Sequence, residues 1–462
     1  MSRRVHLAGL VMALTCLVVA TTSVGAFART PRPETQQMHS WKGTRWIKVV
    51  KARPDSWTSG CEKSAGFACY IPRQLEHAYD LTQLYRHGLD GTGSTIAIVD
   101  AFGSPTVRKD LQTFDAEFGL PAPPSLRIIR PAGQVPPFDP SNGTMVGWAV
   151  ETSLDVQWAH AIAPGASILL VETPVAETEG IHGFPPMIKA ENYVVDHHMA
   201  DVISQSFAAT EQTFPNAEAI RSLRSAYINA RNHHVTVVGA TGDAGASNYR
   251  LDGQHFYKYP VTSWPAVDPL VTAVGGTQLH LNNRGDRTAP DNVWNDTYNP
   301  VLVGKHPSPI AGGGGLSTVF GRPSFQDGVS SVVGSARGIP DISMSAAVDG
   351  GVITYLGFLG SDSSFYIIGG TSEATPEFAA VVSIADQAAG RSLGFINPAL
   401  YRLAARHAPG IVDITAGNNT VSFRQHGQEF TVDGYSANPG YDLASGLGTV
   451  DAADLVRELA HS

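Results

Sequence analysis

Ser372 lies in the stretch "GGTSEATPEF" (369–378), a sequence setting suited to a nucleophile. It follows a Gly-Gly-Thr turn, and the run "EFAAVVSIADQAA" after it is typical of a buried helix. Pro376 falls where we expect the first turn of that helix, a position that tolerates proline. Thr-Ser is also an ordinary pair at a helix N-terminus, so the motif alone is only moderately specific. A serine nucleophile needs a base, and no histidine here has a sequence context that suggests one.

Two carboxylates lie on a predicted helix far upstream of that serine. Glu151 and Asp155, within "MVGWAVETSLDVQWAHAIAPGA" (145–166), are four residues apart and therefore share one helix face. In isolation, a solvated helix face would explain them. Their neighbours are apolar almost all round the helix, so we expect the carboxylates to be partly buried. A buried pair relieves its repulsion by sharing a proton, which lets one carboxylate act first as a base and then as an acid.

A third carboxylate, Asp243, follows a predicted strand in "VVGATGDAGAS" (237–247). An ordinary Gly-Asp turn would explain the motif by itself. The functional interpretation places this carboxyl at the carboxyl end of the strand, where ligands of parallel sheets bind.

The elements that position these side chains alternate between apolar strands and helices. One strand ends at Asp100, and we predict four further strands and two helices between them, at 166–172, 201–206, 234–240, 270–276, 146–160 and 215–231. This alternation predicts an α/β fold, a parallel sheet with helices on both faces. The glycine run "AGGGGLS" (311–317) predicts a loop where the backbone approaches another segment closely.

The ends of the chain and its charge limit its location and partners. Residues 1–28 combine a basic start, an apolar core and a small-x-small cleavage site, which predicts an export signal and a secreted protein rather than a membrane anchor. Residues 29–69 read as a short leader or N-terminal arm, and residues 70–462 as a single domain. The net charge of −9, with 16% charged residues, argues against nucleic acid and anionic membranes as partners.

Two cysteines, Cys61 and Cys69, remain once the signal is removed. In an oxidising compartment, cysteines eight residues apart most simply form one local disulfide. A zinc site would need more ligands than the sequence offers nearby.

Together, the three motifs resemble the sedolisin family of serine-carboxyl peptidases, which have a subtilisin-like fold. The resemblance rests on "ETSLDVQWAHAIAPGA", "GDAGAS" and "GGTSEATP" in the family's order, and on "ISQSF", "SWPAVDPLVTAVGGTQL", "GGGGLS" and "RGIPDISMSA". It covers roughly residues 70–455.

The resemblance implies a role for each site residue. Ser372 would be the nucleophile and Glu151 its general base, Asp155 would orient Glu151, and Asp243 would line the oxyanion hole. Asp100 stands about where a subtilisin keeps its triad aspartate, but we assign that role to Asp155 and a supporting role to Asp100. A carboxyl can donate a hydrogen bond to an oxyanion only when protonated, so these roles predict activity in acid.

The resemblance also implies one structural Ca²⁺ ion near the C-terminus. Asp413 and Asp442 would supply carboxylates, and Ile414, Asn438 and Gly440 main-chain carbonyls. Position 438 is usually glycine in this family, and asparagine also adopts left-handed turns. An acidic surface loop is the alternative.

The sequence therefore predicts a secreted, acid-acting endopeptidase that is monomeric and acts on proteins or peptides. Two alternatives stay open: a catalytically silent homologue that binds peptides in the same cleft, and an exopeptidase that releases tripeptides.

Overall fold

The computed structural model describes residues 38–41, 44–49 and 56–462. Its strands are β1 (Met38–Trp41), β2 (Thr44–Lys48), β3 (Cys69–Tyr70), β4 (Thr95–Ala101), β5 (Leu126–Ile129), β6 (Ser167–Thr173), β7 (Val202–Gln205), β8 (Ala209–Thr210), β9 (Thr236–Ala240), β10 (Ser263–Trp264), β11 (Thr272–Gln278), β12 (Asn292–Val293), β13 (Gly315–Gly321), β14 (Ala336–Ile339), β15 (Ile342–Ser345), β16 (Gly351–Leu356), β17 (Ser364–Gly369), β18 (Ile411–Val412), β19 (Val421–Gln425), β20 (Gln428–Val432) and β21 (Thr449–Val450).

The α-helices are α1 (Trp57–Ala65), α2 (Pro72–Ala78), α3 (Leu81–Arg86), α4 (Val107–Phe118), α5 (Gly143–Ile162), α6 (Phe184–Asp196), α7 (Ala217–Ser222), α8 (Ser225–Asn232), α9 (Pro300–Val303), α10 (Ser330–Val333), α11 (Thr371–Ala389), α12 (Asn397–Ala405) and α13 (Ala452–Ala460). Three short 3₁₀ helices span Glu211–Thr213, Ser324–Val329 and Gly360–Asp362.

The central sheet has eight strands in the order β12-β11-β9-β7-β4-β6-β5, with β15 also paired to β11. All of its pairings are parallel except that of β12 with β11. One hydrophobic cluster packs α5 and α11 against one face, and a second packs α6 and α8 against the other. The predicted α/β fold, with a parallel sheet covered by helices on both faces, is confirmed.

Two predicted helices divide where the backbone changes conformation. Residues 69–85 have apolar side chains at three- and four-residue spacing, which predicts a helix. They form two helices, α2 and α3, because Asp80 takes the left-handed region, with φ 57°, between them. The predicted helix over 215–231 forms α7 and α8, and the Arg224 guanidinium between them pairs with the buried Asp268 at 2.6 Å.

The described part of the N-terminal arm joins a second, five-stranded sheet of order β1-β2-β17-β16-β3. Strand β2 runs antiparallel to β17, the strand that leads directly into the serine motif. Ile47, Val49 and Trp57 are buried in the same cluster as α5. Cys61 and Cys69 form a disulfide, as predicted.

Residues 37–462 form one compact unit, so the described part of the arm belongs to the same unit as residues 70–462. The predicted export signal (1–28) lies outside the described residues, and its boundaries stay a prediction. No helix in the described ranges is long and apolar enough to cross a lipid bilayer.

Candidate active site

Three of the predicted catalytic residues, Glu151, Asp243 and Ser372, line one cavity. It lies at the carboxyl ends of β7 and β9, as predicted for a parallel sheet. Its other lining residues are Glu177, Glu179, Ser206, Phe207, Ala208, Ala240, Gly242, Asn248, Tyr249 and Thr371.

Helix α5 brings the carboxylate pair into the core. Asn142 caps its N-terminus by accepting hydrogen bonds from the main-chain N–H groups of Thr144 and Met145, at 3.0 and 3.3 Å. Glu151 and Asp155 are 1% and 0% exposed, so the expected burial of this pair is confirmed.

Burial dominates the protonation of Asp155. Desolvation raises the pKa of Asp155 well above its ordinary value, and the nearby carboxylates of Asp100 and Glu151 raise it further. The Ser206 hydroxyl partly opposes these effects. Asp155 therefore holds a proton in acid, and the arrangement suits a Glu–Asp pair that shares one proton.

Asp100 is a fully buried neighbour of this pair. Desolvation raises the pKa of Asp100 to about 7, the carboxylates of Glu172 and Glu177 add to the rise, and the Thr152 hydroxyl opposes it. Asp100 is therefore protonated in acid and places no fixed negative charge beside Asp155 there.

Ser372 is the second residue of α11, which begins directly after Gly370. The first-turn position predicted for Pro376 is wrong, because the helix starts at Thr371 and the proline lies in its second turn. Proline has no N–H to donate to the carbonyl four residues earlier, which is that of Ser372. The Ser206 hydroxyl donates to this carbonyl instead, at 3.4 Å.

Asp243 is held against the start of α11. Its Oδ1 accepts the main-chain N–H of Thr371 at 2.7 Å and the Thr371 hydroxyl at 2.9 Å. A Cβ atom at Gly370 would lie 2.7 Å from Asp243 Oδ2, so glycine leaves room for the second carboxyl oxygen. The glycine run 311–317 approaches another segment closely, as predicted, since a Cβ at Gly313 would lie 2.3 Å from the carbonyl oxygen of Thr241.

His160, on the same helix as the carboxylate pair, is buried away from this cavity. Its Nε2 lies 2.8 Å from the carbonyl oxygen of Pro121 and 3.4 Å from Asp115 Oδ1. Desolvation lowers the pKa of His160 to about 4. These contacts give His160 a role in packing.

The sequence of the chain matches kumamolisin of Bacillus sp. (strain MN-32) with 30% identity over 421 residues. The match covers 89% of this chain and 68% of kumamolisin. The chain belongs to the sedolisin family. No protein-family model matches it.

The sequence is also similar to other members of the family. Sedolisin of Pseudomonas sp. (strain 101) is 28% identical over 363 residues, covering 78% of this chain and 57% of that protein. Human tripeptidyl-peptidase 1 is 26% identical over 325 residues, covering 67% and 52%. The chain therefore spans about half to two thirds of the length of these relatives.

A solved structure of Pseudomonas sedolisin, described as a serine-carboxyl proteinase in complex with pseudo-iodotyrostatin, has the same fold. It superposes with a TM-score of 0.70 at 26% identity and covers 86% of this chain and 99% of that one. The predicted subtilisin-like fold of the sedolisin family is thus confirmed.

The residues predicted to bind calcium lie on two neighbouring loops. Asp413 Oδ2 accepts the main-chain N–H of Gly440 at 2.9 Å, and Asp442 Oδ2 accepts that of Asn438 at 3.0 Å. Ile414 is buried beside them. Carboxylate and carbonyl oxygens are the donors that Ca²⁺ prefers, so these residues fit the ion chemically. The described ranges contain no group of three or more His, Cys, Asp or Glu side chains that could bind a metal, so main-chain carbonyls would have to complete the site.

Sequence analysis missed several residues of the cavity. Thr371 holds the Asp243 carboxyl in place through hydrogen bonds. Its position directly before the predicted nucleophile could have indicated a role in the site. Ser206 lies in the "ISQSF" stretch, but its contact with the Ser372 carbonyl depends on the tertiary fold. Glu177 and Glu179 come from the loop after β6, where no local pattern marks them.

Proposed function

We propose that this protein is a secreted, acid-acting serine-carboxyl endopeptidase with Ser372 as its nucleophile. The observation that carries the proposal is that Glu151, Asp243 and Ser372, which are far apart along the chain, line one cavity. Membership of a peptidase family supports the same chemistry.

In the proposed reaction, the Ser372 hydroxyl oxygen attacks the carbonyl carbon of a peptide bond while Glu151 accepts the hydroxyl proton. Asp155, buried and protonated in acid, orients Glu151. Protonated Asp243 donates a hydrogen bond to the oxyanion. Glu151 then returns the proton to the leaving amine, which leaves an acyl group on Ser372. Water, activated by Glu151, hydrolyses this acyl-enzyme and regenerates the hydroxyl.

Two features support action in acid. Asp243 can serve as a donor only while it carries a proton, and the neighbouring acids Asp100 and Asp155 both have raised pKa values. Asp100 and Asp155 therefore carry protons at low pH.

The experiment that tests the function is hydrolysis of a denatured protein at pH 3–5 by the wild type and by Ser372→Ala. We expect the variant to lose at least about a thousandfold in kcat, because removal of a serine nucleophile has effects of this order or larger in other peptidases. Equal turnover would overturn the assignment and favour the silent peptide-binding alternative.

Product lengths from a long peptide distinguish the endopeptidase from a tripeptidyl exopeptidase. The similarity to Pseudomonas sedolisin, a serine-carboxyl proteinase, favours the endopeptidase. The similarity to tripeptidyl-peptidase 1 favours the alternative. Internal cleavage products support our proposal, and successive tripeptides would replace it.

Secretion and processing form a separate part of the proposal. Recovery of the protein from the culture medium, with an N-terminus at or after residue 29, is the expected result. A cell-retained protein that begins at residue 1 would contradict it.

We also propose one structural Ca²⁺ held by Asp413, Asp442 and main-chain carbonyls. The contacts of the Asp413 and Asp442 carboxylates with the main chain of Gly440 and Asn438 support it. The ion would cross-link the two loops and would take no part in peptide hydrolysis.

A further inference from the structure

An ion pair lies beside the acids of the candidate site, at the far end from Ser372. Arg130 directly follows β5, and two of its guanidinium nitrogens lie 2.7 and 2.6 Å from Oε2 of Glu172 on β6. The Glu172 side chain is 3% exposed, whereas that of Arg130 is 52% exposed. The pair therefore connects a buried carboxyl group to the surface.

Strand register places Glu172 next to Asp100. The two residues are direct partners in the parallel pairing of β4 with β6. Successive side chains of a strand point to opposite faces, so residues two apart share a face. Residues two and four positions earlier on each strand share this face, and they all belong to the hydrophobic cluster that contains α5: Ile96, Ile98, Ile168 and Leu170. Asp100 and Glu172 therefore point to the face on which Glu151 and Asp155 lie.

The backbone makes room for this ion pair. A Cβ atom at Gly103 would lie 2.1 Å from Glu172 Oε1, and φ of Gly103 is +73°, so the position favours glycine for two reasons. Gly103, Arg130 and Glu172 line a cavity of about 290 Å³. This cavity does not include Ser372 among its lining residues.

Four buried carboxyl groups, Glu172, Asp100, Asp155 and Glu151, connect the two cavities. Glu172 lines this cavity and pairs in register with Asp100, Asp100 and Glu151 both influence Asp155, and Glu151 lines the cavity of Ser372. Neighbouring acids in this row affect each other's pKa. Beyond the effect of burial, the charges of Glu172 and Glu177 raise the pKa of Asp100, and those of Asp100 and Glu151 raise the pKa of Asp155. Desolvation raises the pKa of Glu172 above its ordinary value, and the charge and hydrogen bond of Arg130 only partly oppose the rise. Arg130 is a cation in direct contact with Glu172, the first of these acids.

We propose that Arg130 and Glu172 are positioning residues of the catalytic site, which set the protonation of the Glu151–Asp155 pair through Asp100. The inference rests on the proposed function, because the protonation of this pair matters only if Glu151 is the base. Neither residue touches the reacting atoms.

The two side chains have opposite electrostatic effects on the row of acids. Arg130→Gln removes a positive charge, so the buried carboxyl groups keep their protons to higher pH and the alkaline limb of the rate profile moves to higher pH. Glu172→Gln removes the carboxylate that neutralises Arg130 once it is ionised, so the alkaline limb moves to lower pH. We expect each shift to be about half a pH unit, because a charge in direct contact shifts a pKa by about 1–3 units and Glu151 lies further away.

The experiment is the pH profile of kcat/KM for a peptide substrate, measured for the wild type and five variants. Arg130→Gln and Glu172→Gln should shift the alkaline limb in opposite directions, by about half a pH unit each. The double variant should return close to the wild-type profile. Arg130→Lys keeps the charge and should leave the limb in place. Arg127→Gln, which removes an exposed charge from the same strand β5, is the matched control and should also be silent.

The profile separates this inference from the proposed function. If Ser372→Ala abolishes turnover but Arg130→Gln and Glu172→Gln shift the limb in the same direction, or not at all, the inference is wrong and the function stands. If Ser372→Ala retains wild-type turnover, the function itself fails. Thermal unfolding of each variant shows whether it is folded. If Arg130→Gln does not fold, two results still test the inference: a shift of the limb to lower pH in Glu172→Gln and an unchanged limb in Arg130→Lys.

Discussion

Asp243 Oδ1 accepts two hydrogen bonds from Thr371, one from the main-chain N–H at 2.7 Å and one from the hydroxyl at 2.9 Å. Thr371 is the residue immediately before the proposed nucleophile. The contact fixes the Asp243 carboxyl relative to Ser372 and uses Oδ1 as an acceptor. The proton that an oxyanion donor requires must therefore reside on Oδ2.

This geometry predicts opposite outcomes for two substitutions of Asp243. In Asp243→Asn, the amide oxygen would replace Oδ1 beside Thr371, and the NH₂ group would replace Oδ2 as a donor at every pH. We expect this variant to retain activity and to extend it towards neutral pH. Asp243→Ala removes the donor and should lower kcat by about 10²–10³. Steady-state kinetics between pH 3 and 7 test both, and equal losses in the two variants would contradict the role of Asp243 as a donor.

Gly370 controls the space around the same carboxyl group. We expect Gly370→Ala to lower kcat at least about tenfold, because its Cβ would lie 2.7 Å from Asp243 Oδ2 and its φ of +150° is unfavourable for alanine. Gly390→Ala, at the other end of α11, is the control. Its φ is +66° and its Cβ would meet no atom within 4 Å, so it should cost about 1–2 kcal/mol of stability and leave kcat unchanged. Similar kcat values for both variants would show that the space beside Asp243 is unimportant.

Two further acids lie directly behind the nucleophile. Glu373 and Glu377 are fully buried one helical turn apart on α11. Desolvation raises the pKa of both well above the ordinary value. The charge of Asp243 adds to the rise at Glu373, and the charge of Glu373 adds to that at Glu377. Burial raises the pKa of Tyr79 well above its ordinary value, and the charge of Glu377 adds to the rise.

Because of this pair, the free energy of unfolding should depend on pH. A pKa above its unfolded value means that the folded state keeps protons that the unfolded chain loses as the pH rises above about 4.3. Stability should therefore be greatest below that pH and fall above it, by up to about 1.4 kcal/mol per pH unit for each group.

The amide variants Glu373→Gln and Glu377→Gln should flatten this dependence. We expect thermal unfolding of the double variant to change less between pH 4 and 7 than that of the wild type. Glu218→Gln, an exposed residue of α7, is the control and should keep the wild-type slope. Parallel slopes in the wild type and the double variant would refute the role of this buried pair.

Much of this molecule was predictable from local sequence patterns. The parallel strands, the buried helix α5 and the order of the catalytic motifs depend on hydrophobic periodicity and short motifs, which a single sequence records. The contacts between distant segments do not. The pairing of β2 with β17 joins a polar arm without a clear period to the strand before Ser372, and no local signal indicates it. The predicted first-turn position of Pro376 was wrong because the helix already starts at Thr371, and the Gly-Gly-Thr sequence does not reveal this start.

The calcium proposal predicts that chelation lowers thermal stability. Addition of EDTA should lower the Tm of the wild type, and excess Ca²⁺ should restore it, because an ion bound only to the folded state stabilises that state. Asp413→Asn should lower the Tm and remove the response to EDTA. The exposed Asp433→Asn, outside the proposed site, should behave like the wild type. A wild-type Tm that is unchanged by EDTA would count against a structural ion.

The central claim is that Glu151, and no histidine, serves as the base for Ser372. The most direct test is kcat at pH 3–5 for the wild type, Glu151→Gln and His160→Gln. Loss of a positioned general base typically costs about 10²–10⁴ in rate. We predict a loss of that size in folded Glu151→Gln, with His160→Gln within a few-fold of the wild type. Wild-type turnover by Glu151→Gln would contradict the account.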